Sequence, residues 1–419
     1  MICKFGVRNF KPFDEKVEID FFANGNIKRF DYNLINVGDK SVLKTAGFYG
    51  PNNTGKTWIL GAILALRSLM LNIPHDDFSN SFAGVGPVTS FSVEYCIENR
   101  FYEYELSYNN QTQEYEKEKL FLKLFDNKSR KTEKIFERDK KTLFWKGMSE
   151  ELKDAKLMKF FSLAYPFMAI FNNDESNLIK QAKEDYIKFA NSIMVVEMEK
   201  PINIDVTLNL IQNNSKARNF IREFVKNCDL HIEDFGFDED IISDVSLDKS
   251  LARYLHNPNT AKENLKFYSK HNGLRVPSIL FESNGTLKLV GLSGYIYKAL
   301  TEGNILLIDE IESSLHHIIT KSIVAMFNNM LNKNAQLLFT THDVLLLDLK
   351  NLFRKDQIWL VDVLNKKSSK VTRLSEFTSR AESKLRGDED ITQYYLKGQF
   401  GAIPTPDLFA ALEEALSSD

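Results

Sequence analysis

Hydrophobic and polar positions follow three different rules along this chain. In the first 50 residues short apolar runs dominate. "MICKFGVRNFKPF" and "EKVEIDFF" predict two strands, and "VLKTAGFYG" (Val42–Gly50) predicts a third that runs into a glycine-rich loop. "WILGAILALRSLML" (Trp58–Leu71) is apolar nearly all round, which predicts a helix buried between layers. From Val88 to Lys146 the period shortens. "TSFSVEYCIE", "RFYEYELSYN", "KLFLKLFD", "EKIFERD" and "TLFWKG" alternate or are rich in aromatic and β-branched residues, with turn-prone "NNQTQ" and "DNKSRK" between them. That predicts an antiparallel sheet whose charged residues form its wet face.

From Met148 to His271 the period becomes helical, as in "SEELKDAKLMKFFSLA", "NLIKQAKEDYIKFANSIMVV" and "ARNFIREFVKNC", with Lys and Glu interleaved among apolar positions three and four apart. Sustained heptads are absent, which excludes a long coiled coil. Strand-and-helix character returns from Ile279 to Leu374, and the last 45 or so residues read as helical and polar. These shifts divide the chain into 1–87, 88–147 (antiparallel β), 148–272 (helical insertion), 273–375 and 376–419 (helical tail).

Composition narrows the class. A chain of 419 residues with 43% apolar content suits an α/β core carrying insertions. A net charge of −3 provides no global basic field for nucleic acid. Cys3, Cys96 and Cys228 are far apart with no CxxC spacing, which argues against a disulfide framework or zinc site and fits a reducing cytoplasm. The N-terminus lacks a signal-peptide layout. The Trp58–Leu71 run is shorter than the ~20 residues that span a bilayer and carries Arg67. The expectation is a cytoplasmic protein without a membrane partner.

Three segments carry chemistry. In "GFYGPNNTGKT", Gly50, Gly55, Lys56 and Thr57 fit G-x-x-x-x-G-K-[ST] between a strand and a helix. Backbone N–H groups from Gly50 through Asn52, Asn53, Thr54 and Gly55 can converge on an anion at the start of a helix that continues through Trp58. Lys56 supplies charge for β- and γ-phosphates, and the Thr57 hydroxyl can ligate Mg²⁺. In "NILLIDEIESS" (Asn304–Ser314) an apolar strand ends in two acids: Asp309 is placed to reach the Mg²⁺ shell and Glu310 to polarise an attacking water. In "AQLLFTTHD" (Ala335–Asp343) another apolar strand ends at His342, within reach of a γ-phosphate.

A gap of 253 positions separates Lys56 from Asp309, and the sheet and helical arm fit inside it. This order, with the Asp-Glu pair and the strand-end histidine, resembles the ABC-type ATPase domain in the branch shared by SMC, RecF and OLD proteins. "VRNFKPF", with Arg8 and Phe10, resembles that branch's opening strand. The resemblance implies an α/β fold: a P-loop ABC-type ATPase core of mixed sheet and helices, with an antiparallel β subdomain and an inserted helical arm or lid. It also implies a signature motif that completes a partner's site. "Glu282-Ser283-Asn284-Gly285-Thr286" opens an amphipathic helix and resembles the E-S-x-G-T form, which assigns Ser283 and Gly285 to the ATP of a second copy. "LSG" at Leu292–Gly294 lies inside that helix and is a decoy. "ESSLHH" (Glu312–His317) occupies the D-loop position, and neither Gln111 nor Gln113 is assigned to the glutamine loop.

Within the branch, "ESNGT", "ILLIDEIESSLHH", "NAQLLFTTHD", "LKNLFRKDQIWLVDV" and "YYLKGQFGAIP" resemble the bacterial RloA-like AAA-type ATP-binding proteins of abortive-infection and antiphage systems. That implies ATP and Mg²⁺ as cofactors and an ATP-dependent head-to-tail dimer. It also implies a separately encoded effector such as a nuclease or Toprim protein, and leaves nucleic acid among the partners. Only 76 residues follow Asp343, which is short for a Toprim domain, and "RGDED" (Arg386–Asp390) reads as a solvated loop. The alternatives are a RecF/SMC-like DNA-maintenance clamp on duplex DNA and a scaffold that binds ATP without turnover. The missing LSGGQ argues against a transporter motor.

Overall fold

A computed structural model describes residues 1–74, 86–126, 129–148, 163–171, 177–198, 202–228, 232–238, 266–364, 368–377, 391–401, 403 and 409. The central sheet is built from β5 (Thr45–Tyr49), β11 (Ile193–Glu197), β15 (Ile305–Asp309), β16 (Gln336–Thr341), β17 (Ile358–Leu364) and β18 (Ser368–Arg373). Their order is β11-β15-β16-β5-β17-β18, parallel throughout except for antiparallel β18 at one edge. All residues of β5 and β16 are buried, as expected for parallel strands covered on both faces.

Alternate positions feed two different cores. Ile305, Leu307 and Leu338 join the cluster under the helix Lys56–Leu71, whereas Leu306, Ile308, Leu337 and Phe339 face the opposite cluster. That second cluster is closed by Leu292, Ile296 and Ala299 of the helix Asn284–Glu302 and by Ile323, Val324 and Phe327 of the helix His317–Asn328. The two-residue strand period thus becomes a three-layer sandwich.

A second sheet of seven strands contains β1 (Ile2–Arg8), β2 (Val17–Asp20), β6 (Val88–Ile97), β7 (Arg100–Asn109), β8 (Glu114–Asp126), β9 (Ser129–Asp139) and β10 (Leu143–Trp145). Its order is β10-β9-β8-β7-β6-β1-β2, with every neighbouring pair antiparallel. The helix Asn177–Asn191 packs on it through Phe189, stacked on Tyr95 at 4.1 Å between ring centroids, and Tyr186, edge-on to Tyr104. Beneath lies a buried pair, Arg138 with Glu118, whose carboxylate also accepts from the Tyr104 hydroxyl at 2.7 Å. Isolated, such a charge costs several kcal/mol to bury; paired and hydrogen-bonded, it is tolerated. The hairpin β3 (Leu34–Val37) and β4 (Lys40–Leu43) precedes β5.

The helical period of 177–196 ends earlier than the pattern predicts. The helix stops at Asn191, and Ile193–Glu197 is β11, the edge strand of the central sheet, in register with β15. The β-branched Ile193, Val195 and Val196 suit that edge better than a helix end. Further strands interrupt the stretch read as helical. β12 (Asp234–Phe237), β13 (Phe267–His271) and β14 (Leu274–Pro277) form a small antiparallel sheet. With the helices Asp205–Asn213 and Ser215–Lys226 it encloses its own core, seated on Leu287 and Val290. Most of "SEELKDAKLMKFFSLA", all of "RGDED" and most of the tail lie outside the described residues. In the described part of 376–419, Ile391–Leu396 is helical.

The two large sheets share one core, and a buried side chain bonds across their junction. Gln336, fully buried at the start of β16, donates from Nε2 to the carbonyls of Ile2 and Leu43, both at 3.0 Å. Its Oε1 accepts from the Ile2 N–H at 2.7 Å. Gln336→Leu should therefore lower unfolding stability by about 2–4 kcal/mol by orphaning buried backbone groups. Urea unfolding checks this; a loss below ~1 kcal/mol would show that the junction is held by other contacts.

Candidate nucleotide site

The site forms where β5, β15 and β16 end together. β5 delivers Gly50 against β17, so closely that a Cβ there would lie 2.2 Å from the Val361 carbonyl oxygen. Gly55 has φ +101°, and its Cβ would meet Ser369 Oγ at 2.9 Å. Both glycines are required by space, and the second also by backbone conformation. Between them Asn52 and Asn53 are exposed, Asn53 in the left-handed region at φ +61°. Thr54 is buried and pins the turn by donating to the Pro51 carbonyl at 2.9 Å.

The helix begins at Lys56 with no side-chain cap, so its first N–H groups and positive dipole end face the loop. Lys56 is 5% exposed, and its ammonium donates to the carbonyls of Gly50 at 2.8 Å and Pro51 at 2.7 Å. Burial lowers its pKa to about 8, against the opposing pull of Glu310, Asp309 and Glu312. Desolvation wins because the acids act from a distance while the amine has lost its water.

Across the loop, Asp309 closes β15. Its Oδ1 accepts from Thr57 Oγ1 at 3.1 Å and from Thr340 Oγ1 at 2.5 Å. Thr57 and Asp309 offer two hard oxygen ligands side by side, suited to Mg²⁺, which keeps waters and takes phosphate oxygens as its other ligands. Among the described residues no group of three or more His, Cys, Asp or Glu is placed to hold a metal. Glu310 leaves the strand at φ +50°, and its Oε1 stands 3.6 Å from His342 Nε2. The β16 strand carries His342 to this point, and Glu312 Oε1 accepts from the His342 backbone N–H.

The structure thus brings Lys56, Thr57, Asp309, Glu310 and His342 together. Sequence reasoning missed two supporting groups, Thr340 and Glu312. The faint signal was a hydroxyl inside an apolar strand and a third acid two residues after Glu310. Trp58 departs from the expected burial: it is 43% exposed, edge-on to Phe10 at 6.3 Å, with the Lys11 ammonium 5.4 Å from its ring centroid.

Ser283 and Gly285 lie elsewhere in the chain's contacts. Ser283 caps the helix Asn284–Glu302, accepting from the Thr286 N–H at 3.2 Å, and is itself exposed. A Cβ on Gly285 would lie 3.1 Å from the Ser314 carbonyl oxygen, which seats this helix start on the loop after Glu310. The preceding Glu282 is held by His271 at 2.6 Å and by Ser269. The Leu292–Gly294 "LSG" is a packing seam, where a Cβ on Gly294 would strike Thr207. Gln111 and Gln113 sit in the turn between β7 and β8.

A glycine loop at a helix start, a strand-end aspartate beside its threonine and a histidine on the adjoining strand define a P-loop ATPase. Residues 46–348, well over half of the chain, match the family described as "AAA domain, putative AbiEii toxin, Type IV TA system", and the chain belongs to that family. It is an ATP-hydrolysing P-loop ATPase. No curated protein matches the sequence. Among solved structures, the SMC head domain from Thermotoga maritima aligns at 12% identity and TM-score 0.41, over 89% of this chain and 98% of that one. An SmcHead bound to the C-winged helix domain of ScpA aligns at 14% and 0.47, over 88% and 97%. The Smc head with an extended coiled coil bound to the C-terminal domain of ScpA, from Pyrococcus furiosus, aligns at 14% and 0.44, over 90% and 98%. Among the described residues no helix is long and apolar enough to cross a membrane.

A polyphosphate at the loop favours the charged form of Lys56 and raises its pKa from about 8. Nucleotide binding should then take up a proton at pH values from about 8 to 9.5, and affinity should fall as pH rises through that window. Calorimetry in buffers of different ionisation enthalpy reads the uptake directly; buffer-independent heats at pH about 8.5 would contradict it.

Proposed function

We propose that the chain turns over ATP within a composite dimer and serves as the sensing or scaffolding switch of a bacterial antiphage, abortive-infection system whose damage is done by a separate effector. One observation carries the catalytic part: the Glu310 carboxylate stands beside His342 and one residue from Asp309, at the open end of the phosphate loop. Gly50, Asn52, Asn53, Thr54, Gly55, Lys56, Thr57 and Trp58 bind the nucleotide. Thr57 and Asp309 hold Mg²⁺, which when bound neutralises phosphate charge. Glu310 takes a proton from the attacking water, and His342 Nε2 donates to the γ-phosphate. Most of the rate comes from positioning and charge neutralisation.

The exposed position of Ser283 at the start of a 19-residue helix supports the dimeric part. Ser283 bonds to Thr286 of its own helix, and the positive end of that helix dipole suits the γ-phosphate held by a second copy. The antiphage reading is supported by the family description and by the RloA-like motif run. Four lysines of the seven-stranded sheet pair with acids, Lys4–Asp20, Lys119–Glu137, Lys123–Glu94 and Lys134–Glu137, which weighs against a clamp on plain duplex DNA.

Glu310→Gln should retain ATP, lose phosphate release by about 10²-fold or more, and shift to a larger species in light scattering. A variant that stays monomeric in saturating ATP, together with undiminished hydrolysis in Ser283→Arg, would sink the composite site. Trp58 provides a binding readout, because Trp145 and Trp359 are each only 3% exposed. ATP should change the intrinsic fluorescence of the native chain and not that of Trp58→Phe; an equal response from both would remove Trp58 from the site.

A further inference from the structure

We infer that Thr340 is a positioning residue for hydrolysis, a buried hydroxyl that locks the metal-side aspartate and the general-base glutamate into one unit. The inference rests on the ATPase reading above and assigns it a buried residue that acts through its bonds to the site's acids.

Thr340 is 0% exposed, the next-to-last residue of β16. A hydroxyl has one proton to give and lone pairs to receive. Here the proton goes to Asp309 Oδ1 at 2.5 Å, and the oxygen accepts the Glu310 N–H at 2.8 Å. The Thr340 carbonyl accepts the next amide, Ile311 N–H, at 3.1 Å. A single residue thus holds three consecutive residues of the neighbouring chain segment.

What it holds needs holding. Glu310 sits at φ +50°, a region that a side chain other than glycine or asparagine rarely occupies. The left-handed step breaks the strand alternation that would otherwise send Asp309 and Glu310 to opposite faces. It survives only where the surroundings over-determine it. The two bonds from Thr340 to residues 310 and 311 do this from within the sheet, without a ligand. Packing alone does not explain the residue, because the end of a buried strand accepts valine, which has the same branched shape. The hydroxyl is the difference between the two, and both of its hydrogen-bonding functions are used on the site's acids.

Asp309 Oδ1 also receives Thr57 Oγ1, so one oxygen is pinned from the loop helix and from β16. The Thr57 bond is solvent-exposed, while Thr340 is sealed beneath it. Thr340 therefore sets the orientation of the acids before the loop is filled.

The test uses the full chain with Thr340→Val, Thr340→Ala and Thr340→Ser. Thr340→Val should lower kcat by about 10²-fold, the cost of misplacing a reacting group. The ATP Kd read from Trp58 fluorescence without Mg²⁺ should stay within about threefold, because neither Thr340 nor Asp309 is among the residues placed on the phosphates. Hydrogen exchange at the Glu310 amide of the nucleotide-free chain should accelerate in Thr340→Val and Thr340→Ala and remain slow in Thr340→Ser, which should also keep most of kcat. Wild-type kcat in Thr340→Val, unchanged Glu310 exchange, or a Thr340→Ser variant as slow as Thr340→Val would each overturn the assignment. If Thr340→Val and Thr340→Ala both fail to fold while Thr340→Ser folds, the hydroxyl is structural and the inference is wrong. These results differ from failure of the ATPase reading itself, in which the native chain shows no ATP hydrolysis sensitive to Glu310→Gln and the inference falls with it.

Discussion

Everything at the site depends on β16 pairing with β5 on one side and β15 on the other. Leu338 stands opposite Ala46 in one register and Leu307 in the other, which brings three strands from widely separated parts of the chain to a common end. Parallel strands cannot be joined by a tight turn, so long connections are forced. Between β5 and β15 this chain places five strands of the seven-stranded sheet and the helical region. Insertions of that size leave the registers intact because the backbone ladder, not the connection, aligns Gly50, Asp309 and His342. The apolar middles of the three strands are buried on both faces, and the groups that face the loop come after them, at Gly50, Asp309 and His342.

Within that frame two opposed electrostatic effects are balanced. The loop gathers N–H groups and a lysine, all favouring negative charge; the strand ends gather Asp309, Glu310 and Glu312, all favouring positive charge. Lys56 shows which effect prevails in the folded chain: despite three acids, burial holds its amine well below the ordinary lysine range. On the other side of the loop, Asp309 accepts from the Thr57 and Thr340 hydroxyls and Glu312 from the His342 amide.

The local elements were legible in the chain. The strand before Gly50, the helix after Lys56, the antiparallel series from Val88 and the strand ends at Asp309 and His342 each carry a period or a turn signal that needs no tertiary information. What escaped was set by tertiary contacts. Ile193–Glu197 follows a helix without a turn residue strong enough to announce a strand, and only the free edge of β15 makes it one. Trp58 falls within a helix apolar on all sides, so periodicity could not show that its own face is left partly open. Thr340 and Glu312 act through hydrogen bonds to residues about 30 positions away, and single-residue chemistry does not reveal a partner.

Gln336 and Thr341 bound the same strand, and their contacts lie at its two ends. One end grips the first residues of the chain and so the seven-stranded sheet. The other leads directly into His342. At 3.3 Å per residue the span is about 17 Å, and hydrogen bonding on both sides leaves little freedom to bend along it. One straight, doubly paired strand therefore fixes the distance between the histidine end of the site and the strand that opens the chain.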